Sequence, residues 1–283
     1  MRATLATRSF DDGVDRWHFV DAAPAPALAG VIRNYGWWSE ETASFDTRRE
    51  LAGTHGTLIV NLASDMDVVD ASGTVVRVRA GDGFVAGLAQ GTSLSRSTGA
   101  MAGIHVRASL ATLARIAGTS IADLADRVAP LDALPGLRNA HLGERLADAA
   151  DEEARWGVLD ACVARRLADG GAPDPTLARI THGLAAGRRV ATLADELGWS
   201  RKRLARTFRD AIGLEPRAYA GLARFERFVA QLQANPRAAL ADAAIAAGYA
   251  DQAHLTREVG RYAAITPAAL RRLLLPAGGG VRG

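Results

Sequence analysis

The sequence predicts an α+β chain in two parts: a small β-barrel with appended helices over residues 1–169, and an all-α unit over residues 176–275. Three observations predict it. Short β-branched runs separated by Gly, Asp and Ser fill the N-terminal part. The charge changes sign at a Gly/Pro-rich segment, residues 170–175. The C-terminal part contains an internal repeat with helix-turn-helix spacing.

The chain has 283 residues, enough for about two domains at ~100–200 residues each. Its 34 basic and 31 acidic residues leave a formal net charge of +3. That near-balance conceals a division. Residues 1–173 carry 17 arginines against 22 acidic residues, a balance of −5, and residues 174–283 carry 17 basic against 9 acidic, a balance of +8. An acidic part joined to a basic one assigns a polyanionic partner to the basic one. Thirty-three arginines against one lysine also record the codon bias of a G+C-rich genome, and 59 alanines make the apolar fraction an overestimate of the core.

Other totals exclude function classes. A single cysteine, Cys162, excludes an intramolecular disulfide, a CxxC pair and a multi-cysteine zinc site. No run of ~18 apolar residues is long enough to span a membrane. The opening "MRATLATRSFDDG" lacks an apolar h-region, so no secretory signal is expected. A reduced, cytoplasmic protein is the default expectation.

Taken in order, "TLIVNL" (57–62), "TVVRV" (74–78), "GFVAGL" (83–88) and "GIHVRA" (103–108) read as strands. No strand–helix alternation supports a Rossmann-type sheet. Ser109 and Ser120 then start helices as N-caps, and Gly118 closes the first. Two more helices are expected at roughly 141–154 and 155–169. Their apolar stripes, Leu142, Leu146 and Ala149, then Val158, Leu159, Cys162 and Leu167, either pair subunits or roof the barrel. Cys162 reads as a buried structural thiol rather than a redox sensor. His18, His55 and His105 lie far apart, without HxH or HxxxH spacing, so no metal site and no cofactor are expected.

"GGAPDP" (170–175) is the linker. Beyond it, Ala194-x3-Gly198-Trp199 matches Ala244-x3-Gly248-Tyr249 at an offset of 50. Leu204, Arg206, Phe208, Pro216 and Tyr219 then match Leu255, Arg257, Val259, Pro267 and Leu270 at 51. The small Ala lets a second helix approach, and the Gly supplies the left-handed backbone of a tight turn. Ser200 and Asp251 are positioned to cap the following helices, and Leu204/Phe208 and Leu255/Val259 are i,i+4 pairs burying one face. Two helix-turn-helix units are thus expected at about 190–213 and 240–264. A rigid helix carrying Tyr219, Leu222, Phe225, Val229 and Leu232 separates them, and a flexible tail is expected at 276–283.

On these residues, "LADELGWSRKRLARTF", the "LARFERFVAQL" linker with Arg224, and "AAIAAGYADQAHLTREVGRYAAITPAALR", the region 176–272 resembles the DNA-binding domain of AraC/XylS transcription regulators. Departures fall in the second unit: Leu255 and Val259 stand where the family has Phe, Ala264 where it has Gly, and Leu270 where it has Tyr. A softer second unit follows, with Ala264 strained by about 1 kcal/mol if held at positive φ. With Leu204 and Phe208 inward, Lys202, Ala205, Arg206 and Arg209 face outward. The resemblance sets Lys202, Ala205 and Arg206 against base edges, with Arg206 suited to bidentate reading of guanine. Arg201, Arg203 and Arg209 read as phosphate contacts, or as a solvated face in an arginine-rich chain. On the second helix, Gln252, Ala253, His254 and Arg257 face outward, with Gln252 suited to adenine, Arg257 to guanine and Thr256 to a phosphate. His254 either contacts DNA or packs against the turn.

"NYGWWSEE" (34–41), "GTLIVNL", "FVAGL" and "LARIAGTSIADLADRVAPL" resemble the sensor half of a poorly characterised subset of these regulators, which implies a cupin-like barrel. Tyr35, Trp37 and Trp38 either line a ligand pocket or form barrel core. The function implied is a sequence-specific, nucleoid-associated transcription regulator, activator or repressor, with double-stranded promoter DNA as partner. RNA polymerase and a small-molecule effector are further candidate partners, and the protein is expected to act as a monomer or homodimer. The competing reading is a β-barrel enzyme or ligand-binding protein with an accessory DNA tether. It is disfavoured because residues 1–170 lack a nucleophile–base, paired-carboxylate or metal constellation.

Overall fold

Alternation of inward and outward side chains, more than long apolar runs, builds the N-terminal domain. The computed structural model describes residues 3–169, 174–275 and 280–282. Ten strands come first: β1 (Thr4–Asp11), β2 (Asp15–Ala22), β3 (Ile32–Thr42), β4 (Thr47–Glu50), β5 (Gly56–Asn61), β6 (Met66–Val69), β7 (Val75–Val78), β8 (Gly83–Ala86), β9 (Ser93–Arg96) and β10 (Ala100–Ala108). There follow α1 (Leu110–Ala117), α2 (Ile121–Leu124), β11 (Val128–Pro130), α3 (Leu142–Ala147) and α4 (Glu152–Asp169). The strands expected from sequence are β5, β7, β8 and β10, with ends moved by at most three residues. Polar or charged residues interrupt most of the others, which hid them from a search for β-branched runs.

The strands form two antiparallel sheets. One runs β1-β2-β3-β10-β5-β8-β11, and the other includes β4-β9-β6-β7. The larger sheet buries Leu58, Val60, Val85, Ile104 and Val106 with Leu113, Leu146, Trp156, Leu159 and Cys162 of α1, α3 and α4. The stripes of α3 and α4 are therefore spent on roofing the sheet. The break between these helices falls at 148–151, earlier than expected, and burial pushes the Cys162 thiol up. A second, smaller core forms from Met66, Val68, Val78, Phe84, Met101 and Val128, with Trp38 and Ile59 packed against it.

The C-terminal domain comprises α5 (Pro175–Ala185), α6 (Val190–Glu196), α7 (Arg201–Ile212), α8 (Pro216–Ala234), α9 (Leu240–Ala247), α10 (Gln252–Ala263) and α11 (Pro267–Leu273). The pairs α6–α7 and α9–α10 are the two helix-turn-helix units. Helix α8 lies between them in one core holding Leu193, Leu204, Phe208, Phe225, Phe228, Leu255 and Val259. Ala52, Leu88, Leu110 and Ile121 of the N-terminal domain belong to that same core, so the two domains share buried surface.

The chain's end differs from expectation. Residues 276–279 and 283 of the expected flexible tail lie outside the described residues, as do 170–173 of the expected linker. Residues 280–282 form a strand, β12 (Gly280–Arg282), antiparallel to β4. Val281 is fully buried and explains the ordering: an apolar side chain finds room in the shared core.

Candidate nucleic-acid interface and interdomain cavity

Each unit is built as its spacing demands. Ser200 accepts from the Arg203 amide at 3.1 Å and Asp251 from the His254 amide at 2.7 Å, capping α7 and α10. Gly198 (φ 64°) and Gly248 (φ 91°) make the left-handed turns. Leu204, Phe208, Leu255 and Val259 are buried. This rotation leaves Arg201, Lys202, Arg203, Arg206 and Arg209 exposed on α7 and Gln252, Ala253, Thr256 and Arg257 exposed on α10, with Ala205 half-buried.

Several of these side chains already have partners. Arg209 pairs with Glu215, and Arg203 lies 4.4 Å over the Trp199 ring. The Thr256 hydroxyl donates to the Gln252 carbonyl at 2.9 Å. His254 packs edge-on against Tyr249 at 5.2 Å and lies 3.4 Å from Glu258, the packing alternative of the two expected. Among the described residues, Arg201, Lys202, Arg206 and Arg257 make no side-chain hydrogen bond or ion pair. Their guanidinium and ammonium groups are available to an anion.

Polar contacts tie α8 to the second unit and to α5. Arg224 holds Glu258 of α10 through a fork of hydrogen bonds at 2.7 and 3.1 Å. Arg227 donates to the carbonyls of Ala185 and Ala247, at the ends of α5 and α9, where a cation suits the helix dipole.

A cavity of about 1080 Å³ opens between the facing sheets and extends to α5 and α8. Its apolar wall includes Trp38, Met66, Phe84 and Met101, and its polar lining includes Arg33, His105 and Arg107. His105 is buried and neutral, its pKa lowered to about 3 by burial and by nearby Arg107 and Arg8. Its ring fills the space above Gly36 and leaves no room there for a Cβ. Burial, followed by nearby Arg33 and Arg8, lowers the Arg107 pKa against the attraction of Asp21. Among the described residues, neither Arg33 nor Arg107 makes a side-chain hydrogen bond or an ion pair. Deeper in, Arg48 pairs with Glu40, whose pKa burial raises.

Of the three aromatic residues expected at a pocket, only Trp38 lines the cavity. Tyr35 takes the core alternative, not the pocket: it is fully buried in the roofed core, stacks on Trp156 at 6.1 Å and donates to Asp160 at 2.9 Å. Trp37 shares that side, against His18 at 5.7 Å. Strand alternation explains the division, because 35 and 37 share a face that 38 does not. Arg33 and Arg107 were missed. The signal for Arg107 was a charge inside the apolar run "GIHVRA". Among the described residues, no group of three His, Cys, Asp or Glu is placed to hold a metal, and no helix is long and apolar enough to cross a membrane.

Residues 193–273 match a family model described as a helix-turn-helix domain. Among solved structures, ToxT from Vibrio cholerae is similar at 9% identity and TM-score 0.53, covering 86% of this chain and 98% of that one. The apo form of a ToxT point variant from Vibrio cholerae strain SCE256 gives 11% identity and TM-score 0.53, over 94% and 99%. Wild-type ToxT with an unsaturated fatty acid bound gives 10% and 0.50, over 96% and 97%. No curated protein matches the chain. At these identities the likeness is one of fold: an N-terminal sheet domain followed by a helical domain.

Proposed function

We propose that the chain is a DNA-binding transcription regulator of AraC type, reading DNA through the helix-turn-helix domain matched at residues 193–273, and that an apolar carboxylic acid held in the interdomain cavity sets its activity. One observation carries the effector reading. Arg33 and Arg107, neither of them in a side-chain hydrogen bond or ion pair among the described residues, line a cavity walled by Trp38, Met66, Phe84 and Met101. Guanidinium groups select carboxylates, and the apolar wall selects the body of the ligand. The unsaturated fatty acid carried by ToxT in one of its structures is of this class.

On the DNA side, Arg206 and Arg257 read bases, with Gln252 and Lys202 beside them, while Arg201 anchors phosphates. Arg203 and Arg209 hold internal partners first and meet phosphates second. Thr256 and His254 shape the second helix rather than read it. Ala205 and Ala253 offer methyl contacts only. RNA polymerase is the downstream partner in this reading. The N-terminal domain acts as a sensor in this reading, with its buried Glu40 tied to Arg48.

Titration of the full chain with a long-chain monounsaturated fatty acid tests the effector reading. Saturable binding is expected, weakened roughly tenfold or more in Arg107→Gln, since a charge-assisted contact contributes well over 1 kcal/mol. Equal binding by the variant and the unaltered chain contradicts it.

A further inference from the structure

Residues 48–55 touch both the cavity and the DNA-binding domain. Arg48 and Glu50 line the cavity, as period-2 alternation allows for residues two apart on a strand. Arg49, between them, reaches the other way. Its guanidinium donates to the carbonyls of Ala263 at 3.2 Å and Ala264 at 3.5 Å, the last residue and the cap of α10. The Ala52 amide donates to the Tyr262 carbonyl at 3.3 Å, within the same turn. Thr54 follows, donating from its amide at 2.7 Å and its hydroxyl at 2.6 Å to the Glu226 carboxylate of α8, with His55 Nδ1 at 2.9 Å. Along the open edge of β4 runs β12, with Val281 opposite Arg49.

The two recognition helices end differently. Helix α7 ends at Gly213, at φ 81°, and glycine adopts this conformation without strain. Helix α10 ends at Ala264, at φ 57°, where an L side chain crowds its own backbone. A cationic donor on the final carbonyls satisfies orphan acceptors and suits the dipole of the helix end. Arg49 supplies that donor from 215 residues away. Both recognition faces are exposed in this arrangement. The contact therefore governs the order and orientation of the second reader, not access to it.

We propose that the N-terminal domain completes the second reading unit: Arg49 is the external cap of α10, and β4 passes the state of the cavity to that helix. What moves β4 rests on the effector reading above, whereas the cap is independent of it. An effector that displaces Arg48 or Glu50 shifts the strand carrying Arg49, and the second helix loosens or tightens while the first stays as it was.

Hydrogen exchange by mass spectrometry on the full chain separates these claims, with Arg49→Ala, the double variant Arg49→Ala/Ala264→Gly, and the fatty acid as probe. Arg49→Ala should speed exchange across 256–266 about fivefold to tenfold, the size of a lost cap, and leave 201–212 unchanged. The double variant should recover most of the protection, because glycine needs no external support there. Unchanged exchange in Arg49→Ala, or equal loosening of both helices, overturns the cap. Fatty acid should alter exchange at 256–266 in the unaltered chain but not in Arg49→Ala. If the acid binds and both respond alike, the coupling is overturned while the cap stands. If the acid does not bind at all, the effector reading falls instead.

Discussion

The two helix-turn-helix units obey one grammar and reach stability by different means. The first caps itself: Leu204, Phe208 and Ile212 fill its face, Phe208 meets Tyr219 of α8 edge-on at 5.4 Å, and Gly213 ends the helix without strain. The second sets the smaller Leu255 and Val259 at the matching positions, adds Tyr262 and Ala263, and ends on an alanine at positive φ. It draws support from outside, from Glu258 on Arg224 of α8 and from Arg49 of the N-terminal domain. A reader that ends on a glycine needs no outside donor to hold its last turn. A reader without that glycine depends more on its neighbours, and what depends on neighbours is open to regulation by them.

Core truncation should separate the units most strongly. Phe208→Ala removes a fully buried ring and should cost ~3–5 kcal/mol in denaturant unfolding, whereas Val259→Ala should cost roughly 2 kcal/mol. Equal losses would make the two units equivalent in their packing. Next in size are the readers. Arg206→Ala and Arg257→Ala should each weaken specific DNA binding by ~1–3 kcal/mol and relax preference at one base position. If only Arg206 matters in a binding titration, the second unit is a structural appendage. The caps give the smallest effect and the sharpest sign. Ala264→Gly should raise stability by about 1 kcal/mol, and Gly213→Ala should lower it by at least about that much. The alanine at 213 would also crowd Ala122 and Ala125, whose nearest atoms lie 3.2 Å from its Cβ position. Calorimetric melting of both variants reads the opposite signs.

Much of this contrast was legible in the sequence. The repeat placed both turns, Ser200 and Asp251 appeared as caps, and Ala264 stood where a glycine was needed. Local patterns of this kind depend on residues three or four apart, which a linear reading captures. The compensations were not legible. Arg49 and Ala264 are far apart in the chain, and nothing local in "TRRE" marks its middle arginine as a helix cap. Strands β1 to β4 were missed because polar residues such as Arg16, His18, Glu40 and Arg48 break their apolar pattern. Nothing local in the sequence around Val281 marks its place in the shared core. Tyr35 and Trp38 looked alike as neighbouring aromatics, and only their place on opposite sides of β3 separates core from cavity.

In the reading proposed above, this chain reads DNA with two unequal helices held at fixed separation. Selection of bound sequences from random double-stranded DNA, using the full chain, bears on that reading without intermediaries. Two enriched elements about one helical turn apart are expected, with the element lost in Arg206→Ala distinct from the one lost in Arg257→Ala. A single element indifferent to Arg257, or no enrichment above bulk DNA, would contradict it.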